Sequence, residues 1–431
     1  MGAGIHLGSK GLSIAEALEL LRLTMPPAQR SLSWWCDMDY ALAAAHLIDL
    51  SFTGEIDTDV DTVTRRGIPR TNMASTTALK TLERYGGIAR TDVVIEDIVS
   101  RIGDLRAGIL ATLQRNEAIR VRGEKVAWGF LQQQVDIAKA REVALLKESL
   151  IALIEGDALP SPEEAALISV LQASGIIADV LGVAWPRPWL DRHRSRIQML
   201  HRMDLVGQTV SATINGVRGR LHAYVLGAQP ETGGKSTRSG ALWEWRVFWP
   251  AENSVTLPEA LHLIGRGHDA DEEVNADIYL FLSGKRDNIK FRGKGLKVKP
   301  VIEAFDEFCA FGASGKVGFP VRAETLSGIF PRFNEVRVKL RTRDQMLSAL
   351  SATGYRPGMI EVHKTRRQYN AILGVKIELA QIKVSGRMFH SLCLESKFLT
   401  ALRVLSRHIA IAGGIVGGYS EFLERVSVSR D

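Results

Sequence analysis

The chain has 431 residues, 45% of them hydrophobic and 24% charged, a balance that is typical of globular proteins and excludes a disordered chain. Its formal net charge of +7 favours anionic partners such as phosphates, lipid head groups or nucleic acid. The three cysteines have no metal-ligand spacing, and so sparse a set argues against a disulfide scaffold. No run reaches the ~18 apolar residues of a membrane-spanning helix, and the N-terminus lacks a secretory signal pattern. We therefore expect a cytoplasmic protein, with peripheral attachment to a membrane as a variant of that expectation.

The first half of the chain is predicted to be mostly α-helical, with one β-hairpin. Apolar residues recur at helical spacing after Ser13, a suitable N-cap, and Pro26 ends this first helix. The Ala- and Leu-rich segment 40–52 predicts a helix at the centre of a bundle. Strand-like runs on both sides of Gly123-Glu124 predict a hairpin over 119–130. Further helices are predicted over residues 76–85, 93–102, 104–118, 134–154, 163–181, 189–204 and 206–226.

A linker is predicted over residues 229–241, which are rich in Gly, Ser and Thr and have no apolar periodicity. It separates an N-terminal domain, 1–228, from a C-terminal domain, 242–431. Strand patterns dominate the second domain and helices interrupt them, which predicts an α+β fold with a largely antiparallel sheet. The predicted strands cover 243–249, 277–282, 289–299, 336–342, 359–364, 374–384 and 388–395, and the predicted helices cover 300–309, 344–353 and 397–411.

Basic residues alternate with apolar residues in the predicted strands of the second domain. Gly293-Lys294-Gly295 suits a tight turn between two of these strands, because glycine tolerates positive φ. Successive side chains of a strand point to opposite faces, so each strand carries its cations on one face. The alternating cations are Lys290, Arg292, Lys297 and Lys299 around the turn, and Arg337, Lys339 and Arg341 in a later strand. They indicate either a solvated polar face or a closed sheet whose charged lumen holds a polyanion.

Three features follow one another in residues 31–56: a tryptophan-containing segment, a small-residue helix, and Leu47-Ile48-Asp49-Leu50 before Gly54-Glu55-Ile56. In order and spacing they resemble the Golgi phosphoprotein-3-like family, and the resemblance extends over about the first 228 residues. It implies a mostly helical fold that binds anionic lipid head groups, notably phosphatidylinositol 4-phosphate in eukaryotes. It also implies that Trp34 and Arg106 contact the head group.

The hairpin of this family contacts a membrane or a partner. Val126, Trp128 and Phe130 alternate in the predicted second strand, so we expect them to share one face. Aromatic residues close to basic ones suit a membrane interface, a protein partner or self-association. The alternative is that Trp128 and Phe130 pack on the helices beneath.

Four motifs of the second half also occur in a recognisable order. They are Glu244-Trp245-Arg246, the basic hairpin at 288–299, the basic strand at 362–367, and the acidic strands that contain Glu378 and Glu395. Together residues 243–431 resemble the CYTH superfamily of triphosphate-tunnel proteins, which includes inorganic triphosphatases, thiamine triphosphatase and class IV adenylyl cyclases. The resemblance implies a closed antiparallel tunnel in which cations bind phosphate and glutamates hold one or two divalent metals.

The chemistry of a triphosphate explains this mixture of residues. Several converging cations are needed to balance its charge, and Mg²⁺ or Mn²⁺ prefers carboxylate and phosphate oxygens. The resemblance implies a phosphate-binding set of Arg246, Lys290, Arg292, Lys297, Arg337, Lys339, Lys364 and Arg366. It implies that Glu244, Glu378 and Glu395 are the metal ligands and the catalytic residues, with Mg²⁺ or Mn²⁺ as the cofactor.

We therefore predict a peripheral membrane protein whose second domain binds a triphosphate-containing small molecule or a polyphosphate and hydrolyses it with a divalent metal. The alternative is a non-catalytic phosphate sensor or membrane adapter that binds anionic head groups. Leu242, Ala380 and Cys393 stand where the family carries acidic residues, which favours the alternative. The basic cluster 192–202 has no nucleic-acid recognition motif, so no specific nucleic acid is expected as a partner.

Overall fold

The computed structural model describes residues 7, 11–26, 30–58, 61–66, 79–80, 82–203, 241–261, 263–264, 272–293, 295–371, 375–409 and 413–428. The helix predicted over 206–226 lies outside these residues, as does the predicted linker 229–241 except for its last position. The predicted boundary between two domains therefore stays a prediction.

Helices make up most of the first half, as predicted. They are α1 Ile14–Leu23, α2 Leu32–Phe52, α3 Thr91–Ser100, α4 Ile102–Arg115, α5 Ala140–Glu155, α6 Pro162–Ala173, α7 Ile177–Leu181 and α8 Pro186–Met203, with strands β1 Ile56–Thr58, β2 Thr62–Arg65, β3 Ile88–Arg90, β4 Ile119–Ala127 and β5 Phe130–Ile137. A capping box begins α1: the Glu16 backbone N–H donates to the Ser13 hydroxyl at 3.2 Å, and the Ser13 N–H donates to the Glu16 carboxylate at 3.0 Å. Local hydrogen bonding thus fixes the helix start that the sequence indicated.

The helix α2 lies at the centre of the helical half, and this prediction is confirmed. All its side chains from Tyr40 to Leu47 are buried, and it packs against α1, α3 and α6. Three consecutive alanines, Ala43–Ala45, allow neighbouring elements to approach closely from several sides. The apolar composition that predicted a central helix therefore has its physical reason in this packing.

The hairpin is present, but its turn is not where we predicted. β4 continues through Gly123 and Glu124, and the chain reverses at Trp128-Gly129, after Ala127 has paired with Phe130. Trp128 has a φ of 42°, so a large residue occupies a conformation in which glycine is more usual. The strand pattern favoured a turn at Gly123, which instead lies in the middle of β4. Contacts at the hairpin tip determine where the turn forms.

An antiparallel sheet dominates the second half, as predicted. The strands are β6 Leu242–Pro250, β7 Val255–Leu257, β8 Leu263–Ile264, β9 Glu273–Leu282, β10 Asn288–Arg292, β11 Gly295–Lys299, β12 Val301–Phe305, β13 Phe308–Phe311, β14 Gly315–Gly318, β15 Val321–Arg322, β16 Lys339–Leu340, β17 Pro357–Ala371, β18 Lys376–Val384, β19 Arg387–Ser396 and β20 Ile415–Val416, and the helices are α9 Arg343–Ala352, α10 Leu399–Ser406 and α11 Tyr419–Val428. The main sheet has the hydrogen-bonded order β12-β13-β6-β19-β18-β17-β9-β10-β11-β14. β7 joins the hairpin instead and runs parallel to β5.

The main sheet curls but does not close. β11 and β12 are separated by Pro300 alone, yet they lie near opposite ends of the strand order, so the continuous chain draws these ends together. No ladder joins β12 to β14 among the strands that the structure describes, and the sheet is a curled half-barrel. The closed sheet that we predicted is therefore not found, because the short β14 pairs with β11 alone among the described strands.

Two other predicted elements of the second half are wrong. The helix predicted over 300–309 is a β-hairpin of β12 and β13, and Asp306 with a φ of 50° makes its turn. The strand predicted over 336–342 is reduced to β16, which pairs with β15 outside the main sheet. Aromatic and β-branched residues favour the strands of the first segment, and a 3₁₀ helix, Pro331–Glu335, precedes the second.

The inner face of the curled sheet is the face that carries Glu244, Arg246 and Phe248. Its apolar end is filled by α11, where the Phe422 ring stacks on Phe248 with 3.9 Å between ring centroids and meets Phe389 at 5.0 Å. One helix can contact several strands in this way because it lies on the concave side of the sheet. The other end of the inner face is polar.

The helical half and the sheet share one hydrophobic core. Trp245, Leu379 and Leu392 on the outer face of the sheet belong to the same buried cluster as α1 and α2. The two halves also approach closely at Gly103, whose N–H donates to the Arg407 carbonyl at 3.0 Å. A Cβ at Gly103 would lie 2.7 Å from the His408 carbonyl oxygen, so a larger residue would force the halves apart.

Candidate functional site

Basic side chains from several strands share the polar end of the inner face. The ladder registers place nine basic residues there: Arg246, Lys290, Arg292, Lys297, Lys299, Lys316, Lys364, Arg366 and Lys376. The same registers place five acidic residues among them: Glu244, Glu273, Asp277, Glu378 and Glu395. Cations therefore outnumber carboxylates on this surface, which we call the inner-face cluster.

Glu378 anchors the deepest cations of the inner-face cluster. One carboxylate oxygen accepts from Arg246 Nη1 at 3.0 Å and from Lys364 Nζ at 3.3 Å, and the other accepts from Arg366 Nη1 at 2.6 Å. Burial opposes the charged form, yet Arg246 and Lys364 hold the pKa of Glu378 below its ordinary value. Both oxygens of Glu378 are thus occupied by cations, so its predicted role as a metal ligand would need these bonds to rearrange.

Asp277 holds the cations of the basic hairpin. It accepts from Lys290 Nζ at 2.7 Å and from Arg292 through two bonds of 2.7 and 2.8 Å. Despite burial, these bonds lower the pKa of Asp277 to about 2. Burial and the neighbouring Lys364 and Arg292 lower the pKa of Lys290 to about 8, although Asp277 acts in the other direction. An additional anion would therefore stabilise the charged form of Lys290.

Glu244 and Glu395 face each other directly across neighbouring strands. Glu244 accepts from Arg246 Nε at 2.9 Å and from Lys299 Nζ at 3.3 Å, whereas Lys299 lies 3.8 Å from Glu395. Burial and the facing Glu244 raise the pKa of Glu395. A ligand atom of each glutamate and Sγ of Cys393 lie within 4.8 Å of one another. Because burial raises the pKa of the Cys393 thiol, the two carboxylates are the donors that suit Mg²⁺ or Mn²⁺ here.

The rim of the inner-face cluster is open to solvent. The side chain of Arg292 is 40% exposed and that of Lys299 is 28% exposed. The pKa of Lys297 is lowered by burial and by the positive charges of Arg292 and Lys316. Positive charges at this rim therefore repel one another. A ligand with several negative charges would relieve that repulsion.

Arg337 and Lys339 lie away from the inner-face cluster. Lys339 is exposed in the two-stranded sheet of β15 and β16, and Arg337 donates to the carbonyl of Asn334 at 2.7 Å. The structure does not bring them together with the other predicted phosphate-binding residues, because the strand that would have carried them does not extend into the main sheet. Of the predicted phosphate-binding set, the structure brings together Arg246, Lys290, Arg292, Lys297, Lys364 and Arg366.

Trp34 and Arg106, predicted to contact a lipid head group, are both buried. Arg106 donates to Asp39 at 3.0 Å and to Glu19 at 3.4 Å, and its Nη1 lies 2.6 Å from Nδ1 of His408 in the second half. The predicted head-group site is therefore covered by the protein itself. His408 covers it from a distant part of the chain, and no local pattern of residues predicts this contact.

Arginines also surround the ring of Trp35. The guanidinium carbons of Arg22, Arg30 and Arg106 lie 5.4–5.5 Å from its centroid. Glu259 of the second half accepts from Arg22 at 2.7 Å and from Arg30 at 2.9 Å. These three arginines, with Glu19, Asp39 and Glu259, form what we call the Trp35 cluster. It has three cations and three carboxylates, so its charges balance.

The predicted membrane hairpin docks on the second half. Phe130 is fully buried, and the guanidinium of Arg367 lies 5.6 Å from the Trp128 ring centroid. Val126 is only partly buried, and it packs against the shared core. A Cβ at Gly129 would lie 2.3 Å from the His390 ring, so the hairpin tip fits tightly. Phe130 therefore belongs to the core shared with the helices, whereas Trp128 contacts Arg367 of the second half. Val126 lies in β4 and Phe130 in β5, so the prediction that they share the face of one strand is wrong.

Comparison with known families supports the first half of the interpretation. Residues 14–217 match the family model of Golgi phosphoprotein 3 (GPP34). The match stops before the curled sheet, and the likeness of residues 243–431 to triphosphate-tunnel proteins stays a prediction. Among curated proteins no relative matches the chain. Within the residues that the structure describes, no helix has both the length and the apolarity to span a bilayer.

Proposed function

We propose that the inner-face cluster binds a compound with several linked phosphates, such as a triphosphate or a short polyphosphate. The observation that supports this proposal most strongly is the excess of cations over carboxylates on one concave face. Lys297, Lys316 and Arg292 repel one another at the open rim, and a multiply charged anion would offset this repulsion through charge-assisted hydrogen bonds. Arg246 and Lys364 lie deeper and would fix the end of the bound chain.

A divalent metal would be held by Glu244 and Glu395, and the bonds that the two Glu244 oxygens accept from Arg246 and Lys299 would rearrange to admit it. Mg²⁺ is usually bound by one or two carboxylates together with phosphate oxygens, and this facing pair offers that donor set close to Lys299. When bound, the metal would supply electrostatic stabilisation of the phosphate oxygens. It would also offset the repulsion between the two carboxylates, which adds to the effect of burial in raising the pKa of Glu395.

Hydrolysis of the terminal phosphoanhydride is the reaction that this arrangement supports. The oxygen of a water molecule would form a bond to the terminal phosphorus, and the bridging P–O bond would break with its electron pair staying on the bridging oxygen of the shortened phosphate chain, which leaves. The proton of the attacking water would pass to solvent, and orthophosphate would be the second product. Arg366 and Lys364 would orient the terminal phosphate and offset its developing charge. The competing proposal is a phosphate sensor without turnover, and the occupation of both Glu378 oxygens by cations favours it.

A phosphate-release assay separates these proposals. Full-length protein is incubated with tripolyphosphate and Mg²⁺ or Mn²⁺, and orthophosphate is measured over time. If the protein hydrolyses tripolyphosphate, the release of orthophosphate should fall at least ~100-fold in Glu395→Gln, since loss of a metal ligand removes transition-state stabilisation. Glu361→Gln is the matched control, because Glu361 lies on the opposite face of β17. Binding of tripolyphosphate without release in the wild type would establish the sensor and refute the enzyme.

We further propose that the chain associates with an anionic membrane surface. The family match over residues 14–217 supports this proposal, as does the formal net charge of +7. Neither Trp34 and Arg106 nor the tip of the hairpin would provide the contact, because the first two are buried and the tip packs against His390 of the second half. Recovery of the protein with vesicles that contain phosphatidylserine, and not with neutral vesicles, tests this association.

A further inference from the structure

The helix α8 is anchored on one side and basic on the other. Ile197 and Leu200 are buried in the helical half, and Trp189 Nε1 donates to the Glu155 carboxylate at 2.8 Å. These contacts fix the rotation of α8 about its axis. They leave a solvent-facing side whose basic residues are Arg187, Arg192, Arg194 and Arg202.

Two large apolar side chains are exposed beside these arginines. Trp185 is 80% exposed and Leu159 is 78% exposed, the highest values among the large apolar residues of the described chain. The backbone of Trp185 is tied to α8, because the Trp189 N–H donates to its carbonyl at 3.2 Å. Leu159 is placed alongside the helix, since Arg196 donates to the neighbouring carbonyl of Ala158.

The charge of this region is positive. Residues 156–160 and 185–203 contain five arginines and two acidic residues, Asp157 and Asp191, which leaves a formal charge of +3. Arg194 lies 2.5 Å from Asp191, so these two charges offset each other. The positive excess therefore lies on the other four arginines of the region. We call these two segments together the α8 surface.

We propose that the α8 surface is the part of the molecule that docks on an anionic lipid bilayer. Trp185 and Leu159 would enter the boundary between head groups and acyl chains, where an amphipathic indole is favourable. The arginines would contact the anionic head groups. A nucleic acid would also attract the arginines, but it offers no apolar environment for Leu159. The inference rests on the proposed membrane association and does not depend on phosphate binding by the inner-face cluster.

Vesicle flotation tests this assignment with the full-length chain. Vesicles of phosphatidylcholine with phosphatidylserine, an anionic lipid of the cytoplasmic leaflet, are compared with vesicles of pure phosphatidylcholine. We expect binding to the anionic vesicles that falls about 100-fold in the triple variant R187E/R192E/R194E, since each basic residue contributes roughly fivefold near such a surface and three are lost. The matched control is R337E/K339E/R341E, which makes the same change in net charge on exposed residues far along the chain.

Apolar variants and a competing ligand complete the test. Leu159→Ser should weaken binding by roughly tenfold while leaving the unfolding transition unchanged, because its side chain makes few contacts with the fold. Equal losses in the two triple variants would overturn the proposal, since net charge alone would then explain binding. Wild-type binding to a DNA duplex without binding to anionic vesicles would also overturn it. Calorimetry with tripolyphosphate on R187E/R192E/R194E should match the wild type, which separates this failure from failure of the phosphate site.

Discussion

The Trp35 cluster and the inner-face cluster are built from the same residue types, but they differ in charge balance and in access. The Trp35 cluster pairs three arginines with three carboxylates, and the side chains of Arg22 and Glu19 are at most 1% exposed. The inner-face cluster has nine cations and five carboxylates, and Arg292 and Lys299 are partly exposed at its rim. A cluster with balanced charges and little exposure joins two parts of the fold, whereas a cluster with excess positive charge and an open rim is suited to binding an anion.

The largest effect that the comparison predicts is in the Trp35 cluster. Glu259→Gln removes the carboxylate shared by Arg22 and Arg30 and leaves two buried guanidinium groups with less counter-charge. We expect a loss of about 3–5 kcal/mol in the free energy of unfolding, as for other broken buried ion pairs. Chemical denaturation measures this loss, and Glu252→Gln, at an exposed position, should change the value by less than about 0.5 kcal/mol. A loss below 1 kcal/mol for Glu259→Gln would show that the cluster does not join the halves.

At the rim of the inner-face cluster, a substitution should change the affinity for an anion and leave the free energy of unfolding nearly unchanged. Lys297→Ala removes a cation that its neighbours repel, so the free energy of unfolding should change by less than about 0.5 kcal/mol. The affinity for tripolyphosphate should fall about tenfold, because a charge-assisted hydrogen bond is lost. Calorimetry measures this change, and Lys383→Ala, an exposed lysine on the other face of β18, is the matched control. Equal affinities in the two variants would contradict the assignment of the rim.

Binding to the inner-face cluster should also depend on pH. Lys290 has a pKa of about 8 in the free protein, lowered chiefly by burial, and a bound polyphosphate would raise it again. Above pH 8 binding must therefore take up a proton, so affinity should fall as pH rises through about 8. We expect a several-fold weakening between about pH 7.5 and 9.5, with proton uptake visible as a dependence on buffer ionisation enthalpy. Lys290→Arg should reduce this dependence, because guanidinium stays charged. An unchanged pH profile in Lys290→Arg would remove Lys290 from the site.

Lowering the pH should reduce the stability that the Trp35 cluster provides through its carboxylate Glu259. The pKa of Glu259 is about 2, because Arg22 and Arg30 outweigh the effect of burial. A carboxyl with a depressed pKa in the folded state contributes stability above its unfolded pKa of about 4 and loses it as pH falls towards 2. We expect unfolding stability to decline over this window, and to decline less steeply in Glu259→Gln. A parallel decline in both proteins would assign the acid sensitivity to other carboxyl groups.

Local signals in the sequence predicted the elements better than the connections between them. Ser13 with Glu16, and the run of alanines at Ala43–Ala45, fix a helix start and a central helix through contacts within one segment. The turn at Trp128-Gly129 was missed because the fit of Gly129 against His390 decides it, and that contact joins residues far apart in the chain. The half-barrel was predicted as closed because the resemblance to tunnel proteins implies a closed sheet, whereas strand alternation indicates only which face a residue occupies.

The site could be predicted in part for the same reason. Alternation placed Lys290 and Arg292 on one face, and the register of β9 and β10 confirms that shared face. Asp277 was missed, although a carboxylate in a neighbouring strand is the counter-charge that two buried cations require. Arg106 was expected at an open head-group site, whereas His408 and Asp39 enclose it. Such enclosure depends on how the halves pack, which residue spacing alone does not encode.

Isothermal titration calorimetry with tripolyphosphate tests the central claim most directly, because it detects binding whether or not turnover follows. The wild-type chain should bind one tripolyphosphate in the micromolar range, about −8 kcal/mol. Affinity should fall with added salt, and it should fall about 100-fold in the double variant K290M/K297M, which removes two converging cations. Absence of binding at millimolar tripolyphosphate, or equal affinity in the wild type and the double variant, would contradict the proposal that the inner-face cluster is an anion site.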